Sequence, residues 1–389
     1  MPAAAVEPGG PDVEVRIAAA PAIRLHLPGP VEVRAGAGRS LFRGLLSPDP
    51  RSAVTIAAAE AGGIRIGDLW DAGPVEIVPA PGVLPGLEWD EGAAGPRRRR
   101  FRGSFILSAA NGSVVLVNRV SLEEYLAGVV GAEMPASSYP LSALEAQAVA
   151  SRTYALFALL RAEDAGRRAR FAAGESFQVY AGTEREHPRV LQAVRATAGE
   201  VLTYQGALFR AYFHAACGGR TASAARLFGE PAIAPLDGVE CGACAGTPHA
   251  SWEARFPAAA VEPMLVAWAA ARGVVMGPLA GFEVAAADAE GRVSYVRVRH
   301  SRGSFEIQAG ALRGLLAGEG APRLWSAAFE VSLREGTVFF TGRGRGHGAG
   351  LCQVGASKLG ATANHAEILA RYYPGSALER LYGPAPAGD

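Results

Sequence analysis

Three groups of residues in this chain have types and spacings with chemical potential. The first is Glu133, in the turn Ala132-Glu133-Met134-Pro135 between two helical patterns, followed on the second pattern by Gln147, Arg152 and Tyr154. A carboxyl held in a turn among Val129, Val130 and Met134 would be desolvated, which favours its protonated form and suits a general acid. The same position is also where a helix-terminal glutamate simply faces solvent. The second group is Gly342-Arg343-Gly344-Arg345-Gly346-His347-Gly348-Ala349-Gly350-Leu351-Cys352-Gln353, with glycine at every second place through Gly350. Such a frame lets backbone approach a ligand closely. It lacks the Gly-Lys-Ser/Thr of a phosphate loop and the spacing of a dinucleotide fingerprint. Arg343, His347 and Gln353 in that frame suit an oxygen-rich substrate, and a bulged glycine-rich strand accounts for the pattern equally well. The third group is His214 and Cys217, then Cys241-Gly242-Ala243-Cys244 and His249. Thiolates and imidazole at this spacing are ligands for tetrahedral zinc, with Cys217, Cys241, Cys244 and His249 the expected set. A disulfide from Cys217 to Cys241 or Cys244, with Cys352 as a further partner, competes evenly. Either role is structural.

Composition narrows the function classes. The chain has 389 residues, 49% hydrophobic and 19% charged, enough for one large core or several smaller ones. A formal charge of +1 argues against a dedicated nucleic-acid binder. No run of apolar residues reaches transmembrane length. The first twelve residues, Met1–Asp12, lack the charged and apolar regions of a signal peptide.

The elements that must position these groups are legible in outline. Val13/Val15/Ile17 and Ile23/Leu25/Leu27 alternate with polar residues, as half-buried strands do. Asn111-Gly112 between Phe105–Leu107 and Val114–Val117 predicts a tight hairpin. The run Arg97–Arg100 reads as a solvated linker or a charged sheet edge rather than an anion patch. Ser121-Leu122-Glu123-Glu124 predicts a capping box opening a helix that stops before Pro135, and a second helix starts near Pro140. Val201–Tyr204 and Leu208–Phe213 read as paired strands, as do 293–300 with 304–308. Pro257–Arg272 is helical in period, and Asn364-His365-Ala366-Glu367 caps a last helix ended by Pro374-Gly375. The expected fold is α+β, rich in β structure, with an inserted helical pair carrying Glu133. The expected division is a β-rich region 1–100, a catalytic domain 101–380 and a tail 381–389.

Taken together the motifs resemble the SpoIID/LytB family, the stage II sporulation protein D group. The resemblance runs through Val120-Ser121-Leu122-Glu123-Glu124-Tyr125-Leu126-Ala127-Gly128-Val129-Val130, Glu133-Met134-Pro135 and Ala143 to Ala155. It continues through Gln178-Val179-Tyr180-Ala181-Gly182, Phe213-His214 with Cys217-Gly218-Gly219, Gly342 to Ala356, and Tyr372-Tyr373-Pro374-Gly375. It implies a lytic transglycosylase that cleaves peptidoglycan glycan strands stripped of stem peptides, with Glu133 as the catalytic acid and then base. On this reading Gln147, Arg152, Tyr154, Gln178, Tyr180, His214, Arg343, His347 and Gln353 line the substrate site, converging from distant segments. His347 serves substrate or transition-state hydrogen bonding, and catalysis requires no cofactor. The resemblance also implies an extracytoplasmic location in the periplasm or cell wall, reached through a leader not visible here. The LytB branch implies the alternative of a non-catalytic, wall-binding modifier of an amidase. Two departures stand out: 168–177 lacks the His and Cys that zinc-bearing members carry there, and Arg345 and Cys352 replace an aromatic and a small residue.

Overall fold

The computed structural model of the chain describes residues 10–383 apart from 37, 50–51, 61, 92–94, 175–176, 249, 319 and 321. The chain forms two compact units, one running to Arg210 and completed by the segment from Leu378 onward, the other made by Ala211–Ala377. The architecture is α+β and β-rich, as the residue patterns imply.

Two antiparallel-dominated sheets build the first unit. One has seven strands in the order Phe171–Ala172, Asp12–Ala20, Ser113–Ser121, Ser104–Ala110, Val75–Pro79, Val31–Ala35, Ser40–Gly44. The other has six, in the order Pro96–Arg100, Gly86–Asp90, Ala22–His26, Ala53–Ala58, Ile64–Ile66, Leu69–Asp71. They pack face to face over Val13, Val15, Ile23, Leu25, Ile56, Phe105, Leu107 and Leu116, all fully buried. Strands from both sides of residue 100 share these sheets. The arginine run is an edge strand, Arg97 pairing with Glu91 at 2.8 Å. The hairpin turns at Asn111 and Gly112, both with positive φ (49° and 72°), as a two-residue turn of this hand demands.

The helices follow from local signals. Helix α1 (Leu122–Glu133) starts at Ser121, whose Oγ accepts from Glu124 N–H at 3.4 Å. The second half of the expected capping box differs: Glu124 accepts from the Ser121 hydroxyl at 3.0 Å, because Ser121 is still paired with Asp12 in the sheet. The helix ends where Met134 turns extended ahead of Pro135. Helix α2 (Leu141–Asp164) and helix α3 (Pro188–Ala196) pack against α1 and against each other.

The second unit holds helix α4 (Ala224–Phe228), helix α5 (Ala258–Ala270), helix α6 (Ala309–Leu315), helix α7 (Gln353–Leu359) and helix α8 (His365–Tyr372). Strand Val293–His300 lies between Leu279–Ala287 and Gly303–Gln308, while Thr337–Arg343 lies between Ser251–Pro257 and Phe329–Arg334. Leu265, Val296, Ile307, Leu312, Val338 and Phe340 form their common core. Asn364 and Glu367 make the full capping box of α8. The expected strand pair after residue 200 is only partly present. Glu200–Tyr204 pairs with Ala207–Leu208, but the chain passes from one unit to the other after Arg210, and Phe213–His214 pairs instead with Leu351–Cys352.

Candidate active site and cysteine centre

Glu133 is the last residue of α1 and is half-buried. Its Oε1 accepts from the Val179 N–H at 3.0 Å. That N–H is aimed by clamps on both of its neighbours. Gln178 takes the Tyr125 hydroxyl on Oε1 at 2.9 Å and donates from Nε2 to the Ser151 carbonyl at 3.2 Å. The Tyr180 hydroxyl donates to Asn118 Oδ1 at 2.8 Å, and Asn118 is itself tied to the Arg102 and Ser104 carbonyls. Burial first, then the charges of Tyr180, Glu133 and Tyr154, hold Tyr125 well above the usual tyrosine range.

Two glycines let this segment reach the helix. A side chain at Gly128 would lie 2.6 Å from the Gly182 carbonyl and 2.7 Å from the Tyr180 ring, and one at Gly131 would overlap the Arg185 carbonyl. The glycines of α1, costly in a helix interior, are therefore where the chain from Gln178 to Arg185 is laid against it.

Four residues expected to touch substrate do something else. Gln147, Arg152, Gln178 and Tyr180 are at most 2% exposed, so no sugar reaches them here. Arg152 makes a bidentate pair with Glu123, both contacts 2.7 Å, and also donates to the Glu200 carbonyl. Tyr382 closes the same carboxylate at 2.7 Å. Gln147 donates to Ser151 Oγ at 3.0 Å. These side chains are buried scaffolding that fixes α1, α2 and the Gln178–Tyr180 segment around Glu133. Tyr154 remains half-exposed, edge-on to Phe177 with ring centres 5.1 Å apart.

The remaining expected residues belong to the second unit. Arg343 is exposed and donates to the Glu290 carbonyl, and Gln353 is buried at the start of α7. His347 packs against Tyr212 and Phe228. Its Nδ1 accepts from Ala349 N–H at 3.1 Å, and the Phe213 carbonyl takes a bond from the same ring. These contacts pin the glycine turn around a half-buried His347 ring. Burial lowers its pKa to about 4, so the ring is neutral at neutral pH. His214 donates from Nδ1 to the Ala349 carbonyl at 3.0 Å, and burial holds it neutral as well.

The cysteines come together. Cys217, Cys241, Cys244 and Cys352 are all buried, with their sulfurs within 4.8 Å of one another. The fourth member is Cys352, at the N-cap of α7; His249 lies outside the described residues. Sulfur separations are 3.4 Å for Cys217–Cys244, 3.9 Å for Cys241–Cys244 and 3.1 Å for Cys244–Cys352, too long for any disulfide. Four thiolates about 2.3 Å from a zinc ion sit roughly 3.8 Å apart, which these separations bracket. The sulfurs also receive donors as thiolates do: Cys352 from the N–H groups of Cys217 and Gly355, both at 3.3 Å, and Cys217 from Gly219 at 3.4 Å. The donor set and its surroundings fit a tetrahedral zinc. Cys352 is the one other cysteine of the chain, expected from the sequence as a disulfide partner rather than a zinc ligand.

The Stage II sporulation protein family profile matches residues 110–204, the stretch that holds Glu133, Gln178 and Tyr180. An uncharacterised protein of Brachyspira hyodysenteriae is 30% identical over 291 residues, covering 71% of each chain. The Stage II sporulation protein D of Bacillus subtilis is 29% identical over 274 residues, covering 66% of this chain and 74% of that one. The chain belongs to the SpoIID family, and that membership supports a cell-wall-related role. Among the described residues no helix is long and apolar enough to cross a membrane.

Proposed function

We propose that the protein is a lytic transglycosylase acting on peptidoglycan glycan strands outside the cytoplasm, with Glu133 as its acid and base. The observation that carries this reading is the clamped Val179 N–H, which fixes the Glu133 carboxyl at the end of α1 through Oε1. Glu123 and Glu124, the other acids of α1, are committed to Arg152 and to the helix cap. With Oε1 held by the amide, Oε2 is the oxygen that carries the transferable proton. It protonates the glycosidic oxygen as the sugar gains oxocarbenium character, and the resulting carboxylate then takes the proton of the sugar's own 6-hydroxyl as that oxygen closes onto C1. One carboxyl serves both steps, so no second carboxylate is needed to activate water. We further propose that the four cysteines hold one structural zinc, tying the Cys217 and Cys352 backbone to the Cys241–Cys244 loop.

The test is mass spectrometry of products from purified, peptide-free glycan strands. The wild type is expected to release anhydro-ended fragments, and Glu133→Gln to release none while keeping its fold by circular dichroism. Hydrated reducing ends, or undiminished cleavage by Glu133→Gln, would refute the mechanism.

A further inference from the structure

The surface of the second unit carries two guanidinium groups that no acid of its own answers. Arg345 and Arg323 are both exposed, and Trp325 between them is half-buried. The Arg345 guanidinium lies 4.1 Å from the centre of the Trp325 ring, and that of Arg323 comes to 5.7 Å from the same ring. Among the described residues neither has a carboxylate within 4 Å, whereas Arg226, Arg255 and Arg299 of the same unit each do. Two like charges gathered on one indole without a counter-charge are a feature that an anion would complete.

The backbone under Arg345 is fixed from both sides. Its N–H donates to the Ala216 carbonyl at 2.7 Å, and its carbonyl accepts from the Ala216 N–H at 3.0 Å. The next residue, Gly346, donates to the Trp325 carbonyl at 2.8 Å, which sets the glycine turn beside the indole. Gly344 has to stay bare: at φ +72°, a side chain there would begin 2.6 Å from the Ala216 carbonyl. Arg345 thus leaves the turn at a fixed point and is laid along an aromatic face. Stacking occupies the flat side of a guanidinium and leaves its in-plane N–H fork to a bidentate acceptor. The two oxygens of a carboxylate match that fork.

We propose that Arg345 on Trp325, with Arg323 beside it, forms an exposed carboxylate-binding site on the second unit. It rests on the glycan reading above, and its occupant is the lactyl carboxylate of a muramoyl sugar whose stem peptide has been removed. A peptide-free strand carries one such charge in every disaccharide, whereas an attached stem peptide turns that carboxyl into a neutral amide. Arg345 accepts the charge and passes over the amide, which makes it a specificity-determining residue for the strand. Arg323 adds a longer-range attraction that salt screens.

Isothermal titration of the full chain reads this site with two ligands that differ only at the carboxyl. One is a peptide-free tetrasaccharide of alternating N-acetylglucosamine and N-acetylmuramic acid, the other the same tetrasaccharide with its lactyl carboxyls converted to carboxamides. The wild type is expected to bind the acid form about fivefold more tightly, the scale of a charged bidentate contact at an exposed position, with added salt narrowing the gap. Arg345→Gln, folded by circular dichroism, should bind both forms alike at the carboxamide's affinity, and Arg345→Lys should keep part of the preference. Glu133→Gln should show the wild-type preference, so failure of the cleavage mechanism leaves this site standing. Equal binding of the two forms by the wild type, or an undiminished preference in Arg345→Gln, overturns the proposal and leaves the glycan reading intact. A glycerol phosphate oligomer that outbinds the acid tetrasaccharide and weakens in Arg345→Gln overturns it in favour of a phosphodiester polymer. If neither tetrasaccharide binds, the site and the glycan reading fall together.

Discussion

Gly131→Ala sets two effects of known size against each other. On an exposed helix face the change stabilises by about 1 kcal/mol, because glycine carries that penalty relative to alanine in a helix interior. Here the new methyl would run into the Arg185 carbonyl, with the carbonyl carbon 2.9 Å away. The obstacle is backbone, so it cannot swing aside as the end of a flexible side chain would. Overpacking of this kind costs roughly 1–3 kcal/mol, and contact with backbone belongs at the upper end. The expected net effect is a loss of about 1–2 kcal/mol. The collision also pushes the segment ending at Arg185 off α1, and with it the Val179 N–H that holds Glu133. A shift near 1 Å at a reacting group costs on the order of a hundredfold in rate, so kcat/KM for glycan cleavage should fall far more than stability does. Urea unfolding followed by fluorescence reads the first, and release of anhydro-ended fragments reads the second. A variant more stable by about 1 kcal/mol with unchanged cleavage would refute the packing argument.

Other outcomes follow from the same geometry. Arg152→Leu leaves Glu123 as a buried, uncompensated carboxylate and should cost about 3–5 kcal/mol in urea unfolding, with the double variant Arg152→Leu/Glu123→Leu recovering a substantial part. Purified protein should contain about one zinc per chain by elemental analysis; Cys352→Ser should lower that content and the melting temperature, whereas full zinc content in the variant would remove Cys352 from the ligand set. His347 is neutral in the folded chain down to about pH 4, whereas a histidine in the unfolded chain protonates near 6.5. Its contribution, about 3 kcal/mol at most, is therefore complete above about pH 6.5 and lost as pH falls toward 4. Urea midpoints measured across that window should fall less steeply in His347→Gln, and parallel profiles would contradict the assignment.

What was legible in the sequence was whatever a few neighbouring residues decide. Asn111-Gly112 can supply two positive φ angles, Pro135 forbids a helical Met134, and Asn364 with Glu367 closes a cap without help from elsewhere. The segment after Leu208 has the alternation of a strand, but its partner is chosen by the passage into the second unit, which no local pattern encodes. The cysteine centre was three-quarters visible because Cys241 and Cys244 share a loop spacing with a recognised chemistry. Cys352 is brought in by the pairing of Phe213–His214 with Leu351–Cys352, a contact across more than a hundred residues of chain.

The polar face of α2 shows why residue type alone misassigns roles. Gln147 and Ser151 lie one turn apart on the helix with Arg152 next along it, a polar cluster of the kind that faces water or substrate. Gln147 donates to the Ser151 hydroxyl, the Ser151 carbonyl accepts from Gln178 and Arg152 pairs with Glu123, 27 and 29 residues away along the chain, and with those in place the face is dry. A buried ion pair contributes little net stability, but it tolerates no loss of one partner, so it fixes geometry more than it adds energy. That is the property a one-carboxyl mechanism needs. On the mechanism proposed above, Glu133 would meet the leaving oxygen and then the 6-hydroxyl from a single position, and the buried side chains of α1 and α2 supply the rigidity for that.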